Sequence, residues 1–323
     1  MDNSHYGFDP TYGYTLDTLL NISSPKEPIY FDEFWQKRYR HALTVNPAPQ
    51  ITLIHEDKFG WRVFFIDYTS TDFFPLKGWL LVPTLGEVKR GFIVGHGYGG
   101  RNEPDYHLPF KDAVLLFPCF RGLSLSTHPP ISNEPNYHVL HNIECKDDYV
   151  LAGCVDDAWV SVSALLSLFP SLVGHLGYLG VSFSGGIGAL ALAFELRISK
   201  GHLNIPTFGH LPLRLRLESI GSARSIQQYY CAHKKTALKT LTYFDAALAA
   251  KRIKIPMHCA CALFDPCVAP PGQFAIYNAL PKQKQLYVLE AGHHNYQNQL
   301  YQENELLNQL NFFFESIGQY HFY

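Results

Sequence analysis

The apolar residues of this chain fall into short continuous runs, separated by longer stretches with helical spacing. Six runs predict β-strands, over residues 77–83, 91–94, 113–117, 176–181, 256–263 and 285–289. These runs lack polar alternation, which is typical of strands buried on both faces of a parallel sheet. Residues 148–169 have near-helical apolar spacing and end at a Phe-Pro step, and a second apolar stripe runs from Leu306 to Ile317. Strands alternating with helices predict an α/β fold with a mostly parallel, doubly wound sheet.

The beginning of the chain follows this pattern less clearly. Residues 1–70 are rich in Tyr, Phe and Pro and show no regular period. A long irregular segment attached to a periodic core indicates an arm that packs on the core. We therefore interpret residues 1–323 as a single domain, with an N-terminal arm over 1–70 packed on a core over 71–323.

Composition and charge exclude several classes of partner. The chain has 323 residues, 47% hydrophobic and 17% charged, with a formal net charge of −2. Nucleic acids and anionic membranes require a basic surface, so we expect neither as a partner. The longest apolar runs, 112–120 and 188–194, are shorter than the roughly 20 residues that span a bilayer. The first ten residues contain no basic region and no apolar stretch, so we expect no secretory signal.

The seven cysteines indicate a reducing environment. Their number is odd, and none forms a C-x-x-C pair. Cys259 and Cys261 alternate with alanines and read as small core residues. A zinc site at the neighbouring His258 is disfavoured, because no second cluster of ligands follows. We expect free thiols and a cytoplasmic location.

A candidate nucleophile follows the run at 176–181. The segment Gly180-Val181-Ser182-Phe183-Ser184 connects a buried strand to a helix of small residues. A nucleophile elbow needs this context, with small residues two positions before and after the reactive side chain. Ser182 fits this register, and Ser184 in a shifted register is the weaker alternative. A phosphate-binding loop is disfavoured because no P-loop lysine follows.

Partners for a nucleophilic serine follow in the order serine, acid, histidine. Asp265 comes directly after the run at 256–263, and His293 comes after the run at 285–289. Upstream, the glycine-rich loop 95–100 follows another strand and can bring backbone N–H groups to an oxyanion, together with the N–H of Phe183. The histidine would take the serine proton, and the aspartate would fix the imidazole tautomer.

Several segments of the chain match the motifs of a known family. The matching segments are Asp32-Glu33-Phe34-Trp35, His96-Gly97-Tyr98, Arg121-Gly122, Gly180-Val181-Ser182, residues 265–271 through the acid, and His293. On these motifs the chain resembles the acetyl xylan esterase and cephalosporin C deacetylase family of α/β-hydrolases (carbohydrate esterase family seven).

The chain departs from the family pattern at four positions. Leu123 stands where the family has Gln, Phe183 and Ser184 replace the Gln and Gly of the elbow, and His294 replaces Glu. None of the four is a member of the triad. The departures therefore mark a divergent member, whose substrate can differ from that of its relatives.

The resemblance implies an α/β-hydrolase fold with the triad Ser182, Asp265 and His293. It implies backbone oxyanion donors on Tyr98 and Phe183, and no metal or other cofactor. It also implies removal of acetyl groups from sugars or other small alcohols through an acyl-enzyme. Family members often form closed oligomers, which makes a homo-oligomer an expectation here.

The substrate-contacting residues and the alternative functions can also be named from the sequence. We expect Tyr98, Tyr149 and His294 to line the acyl and alcohol sides of the site around a small-molecule acyl ester. A peptidase, a long-chain lipase or another acyl hydrolase on the same fold is the alternative enzyme, because a fold does not select a substrate. A catalytically silent binding protein is the alternative outside the enzymes.

Overall fold

A nine-stranded sheet forms the centre of the protein in a computed structural model, which describes residues 6–317. The strands are β1 (Gln50–Lys58), β2 (Trp61–Thr69), β3 (Pro75–Pro83), β4 (Arg90–Val94), β5 (Ala113–Cys119), β6 (Leu176–Val181), β7 (Lys200–Asn204), β8 (Met257–Ala262) and β9 (Lys284–Leu289). Their order is β1-β2-β3-β5-β4-β6-β7-β8-β9. The strands from β1 to β5 in this order pair antiparallel, and those from β5 to β9 pair parallel.

Helices cover both faces of this sheet. Those of the described residues are α1 (Leu16–Leu19), α2 (Phe31–Thr44), α3 (Pro135–His138), α4 (Val150–Leu168), α5 (Phe183–Leu192), α6 (Leu211–Arg214), α7 (Ser222–Ala232), α8 (Lys234–Leu241), α9 (Ala246–Ala250), α10 (Pro270–Ala279) and α11 (Gln299–Glu315). Side chains of α2, α4, α5, α9 and α10 share one buried cluster, while α11 belongs to a second cluster on the opposite face. The doubly wound, mostly parallel α/β fold predicted from the sequence is confirmed.

Among the residues that the structure describes, one helix, α4, is long and apolar enough to cross a membrane. Its most apolar window of 18 residues is 83% buried inside the protein, between the sheet and α2. A helix that is apolar all round is typical of the centre of a large core as well as of a membrane. The burial of α4 accounts for its composition here.

The six strands predicted from apolar runs are all present, and three further strands are not obvious from the sequence. The burial of β2 alternates, since one of its faces is solvated, while β1 is mostly exposed at the edge of the sheet. The third, β7, is only five residues long and contains Lys200 and His202, which are nevertheless buried. Continuous apolar runs thus identified the buried strands and the half-buried edge strand β9, and they overlooked the solvated hairpin and the short polar strand.

The structure also changes the description of the N-terminal arm. Residues 50–69, assigned to the arm, form β1 and β2 and extend the sheet by an antiparallel hairpin. Upstream of them, α2 packs on α4 through Trp35, which is fully buried and donates a hydrogen bond from Nε1 to the carbonyl of Tyr243 at 2.9 Å. The irregular part of the arm therefore ends before Gln50.

Candidate active site

The turn after β6 has the geometry of a nucleophile elbow. Ser182 lies between β6 and α5 with φ 51° and ψ −107°, outside the regions that non-glycine residues prefer. Such a conformation costs about 1–3 kcal/mol and persists only where the surroundings enforce it. A Cβ on Gly180 would collide with the carbonyl group of Ser184, which explains the glycine two residues before the serine. The turn therefore holds the Ser182 side chain at the end of the strand.

Three side chains from three loops join in one line of hydrogen bonds. Ser182 Oγ lies 2.9 Å from His293 Nε2, and His293 Nδ1 lies 2.8 Å from Asp265 Oδ2. A carboxylate oxygen accepts only, so Nδ1 carries the imidazole proton and Nε2 is left to accept from the serine hydroxyl. The sequence-predicted order of serine, acid and histidine thus leads to three groups within hydrogen-bonding distance.

Hydrogen bonds to both carboxylate oxygens fix Asp265 next to the imidazole of His293. It is completely buried, and Oδ1 accepts hydrogen bonds from the backbone N–H groups of Cys267 and Val268, both at 2.9 Å. Its other oxygen accepts from Gln273 Nε2 at 3.0 Å as well as from His293. A buried carboxylate requires such donors, and here they fix both of its oxygens.

The charge of Asp265 changes the acidity of the imidazole. Burial lowers the pKa of His293, but the neighbouring carboxylate and its hydrogen bond outweigh burial and leave this pKa above the ordinary histidine value. The His293 side chain is 25% exposed, so solvent and substrate can reach it. A base in this state accepts a proton from the serine more readily than an ordinary histidine does.

Gln273 is a residue of the site that the sequence analysis missed. It lies in α10, is fully buried, and donates from Nε2 to Asp265 Oδ2 and to the carbonyl of Val268, at 3.0 and 2.7 Å. Its Oε1 accepts from the N–H of Ala262 at 2.8 Å. A glutamine on a helix carries no sequence signal for this role, because only the fold brings it to the carboxylate.

Replacing Gln273 with alanine should lower the free energy of unfolding by about 1–3 kcal/mol, because buried polar partners lose their hydrogen bonds. The rate constant kcat should also fall, by about tenfold, because Asp265 is less well positioned. Urea denaturation and steady-state kinetics measure the two effects.

Asn278→Ala is the matched control in the same helix. It removes two hydrogen bonds to the carbonyls of Leu19 and Ile22, so it should reduce stability and leave kcat unchanged. Equal kcat values for the two variants would contradict the positioning of Asp265 by Gln273.

Two backbone N–H groups near the serine are available to an oxyanion. Phe183 is the first residue of α5, where an N–H group has no partner within the helix. Tyr98 lies in the turn that Gly97 and Gly100 close by a backbone hydrogen bond of 3.0 Å. Among the described residues, neither N–H donates to another group. The two loops are joined because the Ser184 N–H donates to the His96 carbonyl at 3.3 Å.

His96 shapes the oxyanion loop and does not act as a base. Its Nδ1 donates to the carbonyl of Gly97 at 2.7 Å, and its Nε2 accepts from the N–H of Phe120 at 3.1 Å. Burial lowers the pKa of His96 to about 4, so the ring is neutral at physiological pH. One ring nitrogen thus stabilises the loop itself, and the other connects the loop to the end of β5.

An aromatic cluster fills the space beneath the elbow. Phe183 is fully buried, and its ring centroid lies 4.3 Å from that of Tyr98. Further rings surround it at centroid distances of 5.6 to 6.2 Å, namely those of His96, Phe120, His138 and Phe208. The Phe183 that departs from the family pattern therefore belongs to the packing around the oxyanion loop.

The expected substrate-contacting residues lie in different environments. The Tyr98 hydroxyl donates to His138 Nδ1 at 3.0 Å, and His294 is half-buried in the loop beside His293. Tyr149 is only 1% exposed, and its hydroxyl donates to the carbonyl of Val139 at 2.7 Å. A side chain this buried offers a substrate little surface, so its placement favours a role in the core.

Two polar residues brace the loops around the site. Ser184 is fully buried, and its hydroxyl bonds the N–H and carbonyl of Val181 at 2.9 and 3.2 Å, so it stabilises the elbow. Arg121 is buried and forms a salt bridge of 2.7 Å with Asp157, and it also donates to Ser70 and Thr71. The arginine therefore connects the loop after β5 to α4 and to the end of β2.

Asp265, Cys267 and His293 also come close enough to share a metal ion, with ligand atoms within 4.8 Å of one another. The carboxylate and the imidazole are hydrogen-bonded to each other, and burial raises the pKa of the Cys267 thiol to about 12, with the nearby Asp265 charge adding to the shift. A metal ion here would compete with the hydrogen bond that orients His293. The arrangement therefore suits proton transfer better than metal binding.

Comparisons with known proteins agree with this architecture. A model of the acetyl xylan esterase (AXE1) family matches residues 15–312. An acetyl xylan esterase from Paenibacillus sp. R4 is similar in structure, with a TM-score of 0.78 and 19% sequence identity. The match covers 92% of this chain and 99% of the chain of that esterase. Acetyl xylan esterase 1 from Thermoanaerobacterium sp. JW/SL YS485 is also similar, with a TM-score of 0.77 and 17% sequence identity. That match covers 94% of this chain and 99% of the chain of the esterase.

A more distant likeness extends to a different kind of hydrolase. An acylaminoacyl peptidase from Pyrococcus horikoshii is similar with a TM-score of 0.63 and 15% identity, covering 82% of this chain and 43% of the peptidase. At such identities the solved structures establish the α/β-hydrolase fold. The match of the family model over most of the sequence establishes more: this chain belongs to the acetyl xylan esterase family, a family of carboxylic ester hydrolases.

Proposed function

We propose that this protein is a serine esterase that removes short acyl groups, acetyl above all, from esters of sugars or other small alcohols. The proposal depends on one observation, the continuous line of hydrogen bonds from Ser182 Oγ through His293 to Asp265. A serine alcohol is a weak nucleophile until a base accepts its proton. The three groups supply the nucleophile, the base and the residue that orients the base.

The reaction proceeds through an acyl-enzyme. Ser182 Oγ attacks the ester carbonyl carbon while its proton moves to His293 Nε2. The carbonyl oxygen becomes an oxyanion and accepts from the N–H groups of Tyr98 and Phe183, each such donor contributing about 3 kcal/mol in the transition state. The C–O bond then breaks, and the leaving alcohol takes the proton from His293. Water attacks the acyl-enzyme with His293 again as base, which releases the acid and restores Ser182.

The preference for short acyl groups is supported by the packing beneath the elbow. The Phe183 ring and its aromatic neighbours fill the volume next to the oxyanion loop, so an acyl chain of several carbons directed toward this loop would meet packed side chains. Interiors packed at this density do not open for an extra methylene without cost. The names of the similar structures point to the same acyl group, since both are called acetyl xylan esterases.

A series of 4-nitrophenyl esters tests the acyl preference. We expect kcat/KM to be highest for acetate and propionate and to fall by about tenfold or more from propionate to hexanoate, as unaccommodated methylenes cost about 1–3 kcal/mol in a packed site. Ser182→Ala serves as the blank for each ester. A kcat/KM that increases with chain length would instead indicate a lipase-like site.

The setting of the enzyme is also a proposal. Seven free cysteines, four of them fully buried, support a reducing compartment such as the cytoplasm. The near-neutral net charge supports a small uncharged ester as the partner, without nucleic acid or membrane. We further propose a homo-oligomer, as the resemblance to the family implies, and light scattering coupled to size-exclusion chromatography measures its mass.

A further inference from the structure

The segment of residues 6–13, here called the N-terminal strap, lies against the candidate triad. It precedes residue 15, where the match to the family model begins. The carbonyl of Pro10, a buried residue, accepts a hydrogen bond from the N–H of Asp265 at 3.2 Å. Further along, the Tyr12 hydroxyl donates to the carbonyl of Glu218 at 2.6 Å. The strap is thus attached both to the loop that carries the acid and to the segment after α6.

The strap brings a row of aromatic rings to this edge of the site. The Phe8 ring lies between those of Tyr6 and Tyr12, at centroid distances of 6.1 and 5.8 Å. The row continues from Tyr6 to Phe264 and His294, at 6.2 and 5.8 Å. The three strap rings are half-buried, so each keeps part of its surface exposed. Phe264 and His294 directly adjoin Asp265 and His293 in the sequence, which places the row beside the triad loops.

The Tyr6 hydroxyl connects the strap to the histidine loop. It lies 2.8 Å from His294 Nδ1, and His294 is the residue that replaces the Glu of the family motif. Burial raises the pKa of Tyr6, and the nearby Cys267 and Asp265 add to the shift, so the phenol stays protonated and can donate to the imidazole. The departure at position 294 thus has a partner in a segment that the family model does not cover.

The alcohol part of the substrate must approach from this side. The leaving oxygen receives its proton from His293 Nε2, so the body of the alcohol lies next to the loop of His293 and His294 when the bond breaks. Exposed aromatic faces bind flat, partly apolar rings, whether aromatic or the C–H face of a sugar, better than they bind small flexible groups. The half-buried rings of the strap present such faces beside this loop.

We propose that the N-terminal strap forms the wall of the alcohol subsite, and that Tyr6 and Phe8 select esters whose alcohol carries a flat ring, such as a pyranose or a benzyl group. This assignment rests on the esterase function proposed above. It adds the class of alcohol to the class of acyl group, and it gives the strap a role in specificity.

The test holds the acyl group constant and varies the alcohol. Ethyl acetate is compared with benzyl acetate and with an acetylated methyl xylopyranoside, for the wild type and for Tyr6→Ala, Phe8→Ala and Tyr6→Phe. In the two alanine variants we expect KM for the ring-bearing esters to rise by about fivefold, the size of a lost aromatic contact. The ratio of kcat/KM for the ring-bearing esters to kcat/KM for ethyl acetate should therefore fall by about fivefold, because ethyl acetate has no ring to contact the strap. Tyr6→Phe keeps the ring and should retain the wild-type KM.

Tyr30→Ala, at a tyrosine that is 62% exposed outside the strap, is the control and should alter neither ester class. Unchanged selectivity in both alanine variants would overturn the proposal. A loss of kcat for all esters alike would also overturn it, because the strap would then act only by holding the triad loops. Failure of the esterase function has a different signature, since wild type and Ser182→Ala would then hydrolyse every ester equally.

Discussion

Replacing Ser182 with alanine should reduce kcat for 4-nitrophenyl acetate by about 10⁴-fold to 10⁶-fold, while the protein remains folded. The variant removes the oxygen that lies 2.9 Å from His293 Nε2, and with it the acyl-enzyme route. The fold should be retained, because Ser182 Oγ makes no other hydrogen bond within the described residues. Steady-state kinetics with the purified variant measure the loss, and circular dichroism verifies the fold.

Ser184→Ala is the matched control for the register of the elbow. Its hydroxyl is fully buried and, within residues 6–317, bonds only to Val181, so it lacks access to a substrate. We expect this variant to lose about 1 kcal/mol of stability per hydrogen bond and to keep most of its activity. An active Ser182→Ala beside an inactive Ser184→Ala would assign the nucleophile to position 184.

Replacing Asp265 with asparagine should lower kcat by about 10³-fold to 10⁴-fold at neutral pH. The amide offers His293 Nδ1 an N–H donor as readily as an acceptor, so the tautomer that leaves Nε2 free is no longer favoured. The imidazolium formed during attack also loses the charge that stabilises it. Single-turnover acylation with 4-nitrophenyl acetate measures this step directly, and Asp72→Asn, at a carboxylate that is 74% exposed, should leave it unchanged.

The same variant should move the acid limb of the pH profile. Only neutral His293 can accept the serine proton, so kcat/KM rises with pH as this residue loses its own proton. Asp265 keeps the pKa of His293 above the ordinary value of about 6.5, and the wild-type limb should therefore lie above that pH. Without the carboxylate, burial alone acts on the imidazole and lowers its pKa, so the limb should shift to lower pH in Asp265→Asn. An unmoved limb would mean that another group titrates.

The candidate triad was accessible from the sequence because each member follows a strand that a continuous apolar run predicts. A continuous apolar run fixes where a parallel strand ends, and the loops after such strands meet at one edge of the sheet. Ser182, Asp265 and His293 all occupy positions of this kind. Local pattern and overall topology agree at these residues, so their proximity can be inferred from the sequence.

Residues that act through the fold could not be predicted in this way. Gln273 reaches Asp265 from the interior of a helix, and Tyr6 reaches His294 from the opposite end of the chain. No local spacing relates such pairs. Tyr149 shows the reverse situation, since it was expected to contact the substrate but packs in the core. The strand β7 was not predicted because its polar side chains interrupt the apolar pattern. These side chains are buried with partners, and Lys200 donates to the carbonyl of Phe313 at 2.6 Å.

The left-handed backbone at the elbow has a consequence for how this protein can change over time. His293 shares the feature, with φ 48°, so two of the three reactive side chains sit on backbone that a glycine would occupy at lower energy. A lineage freed from the need for catalysis could replace Ser182 with glycine and become harder to unfold, whereas glycine at position 293 would also take a hydrogen-bond donor from the buried Asp265. Loss of the nucleophile would then increase stability, and selection for turnover is what keeps a serine at the elbow.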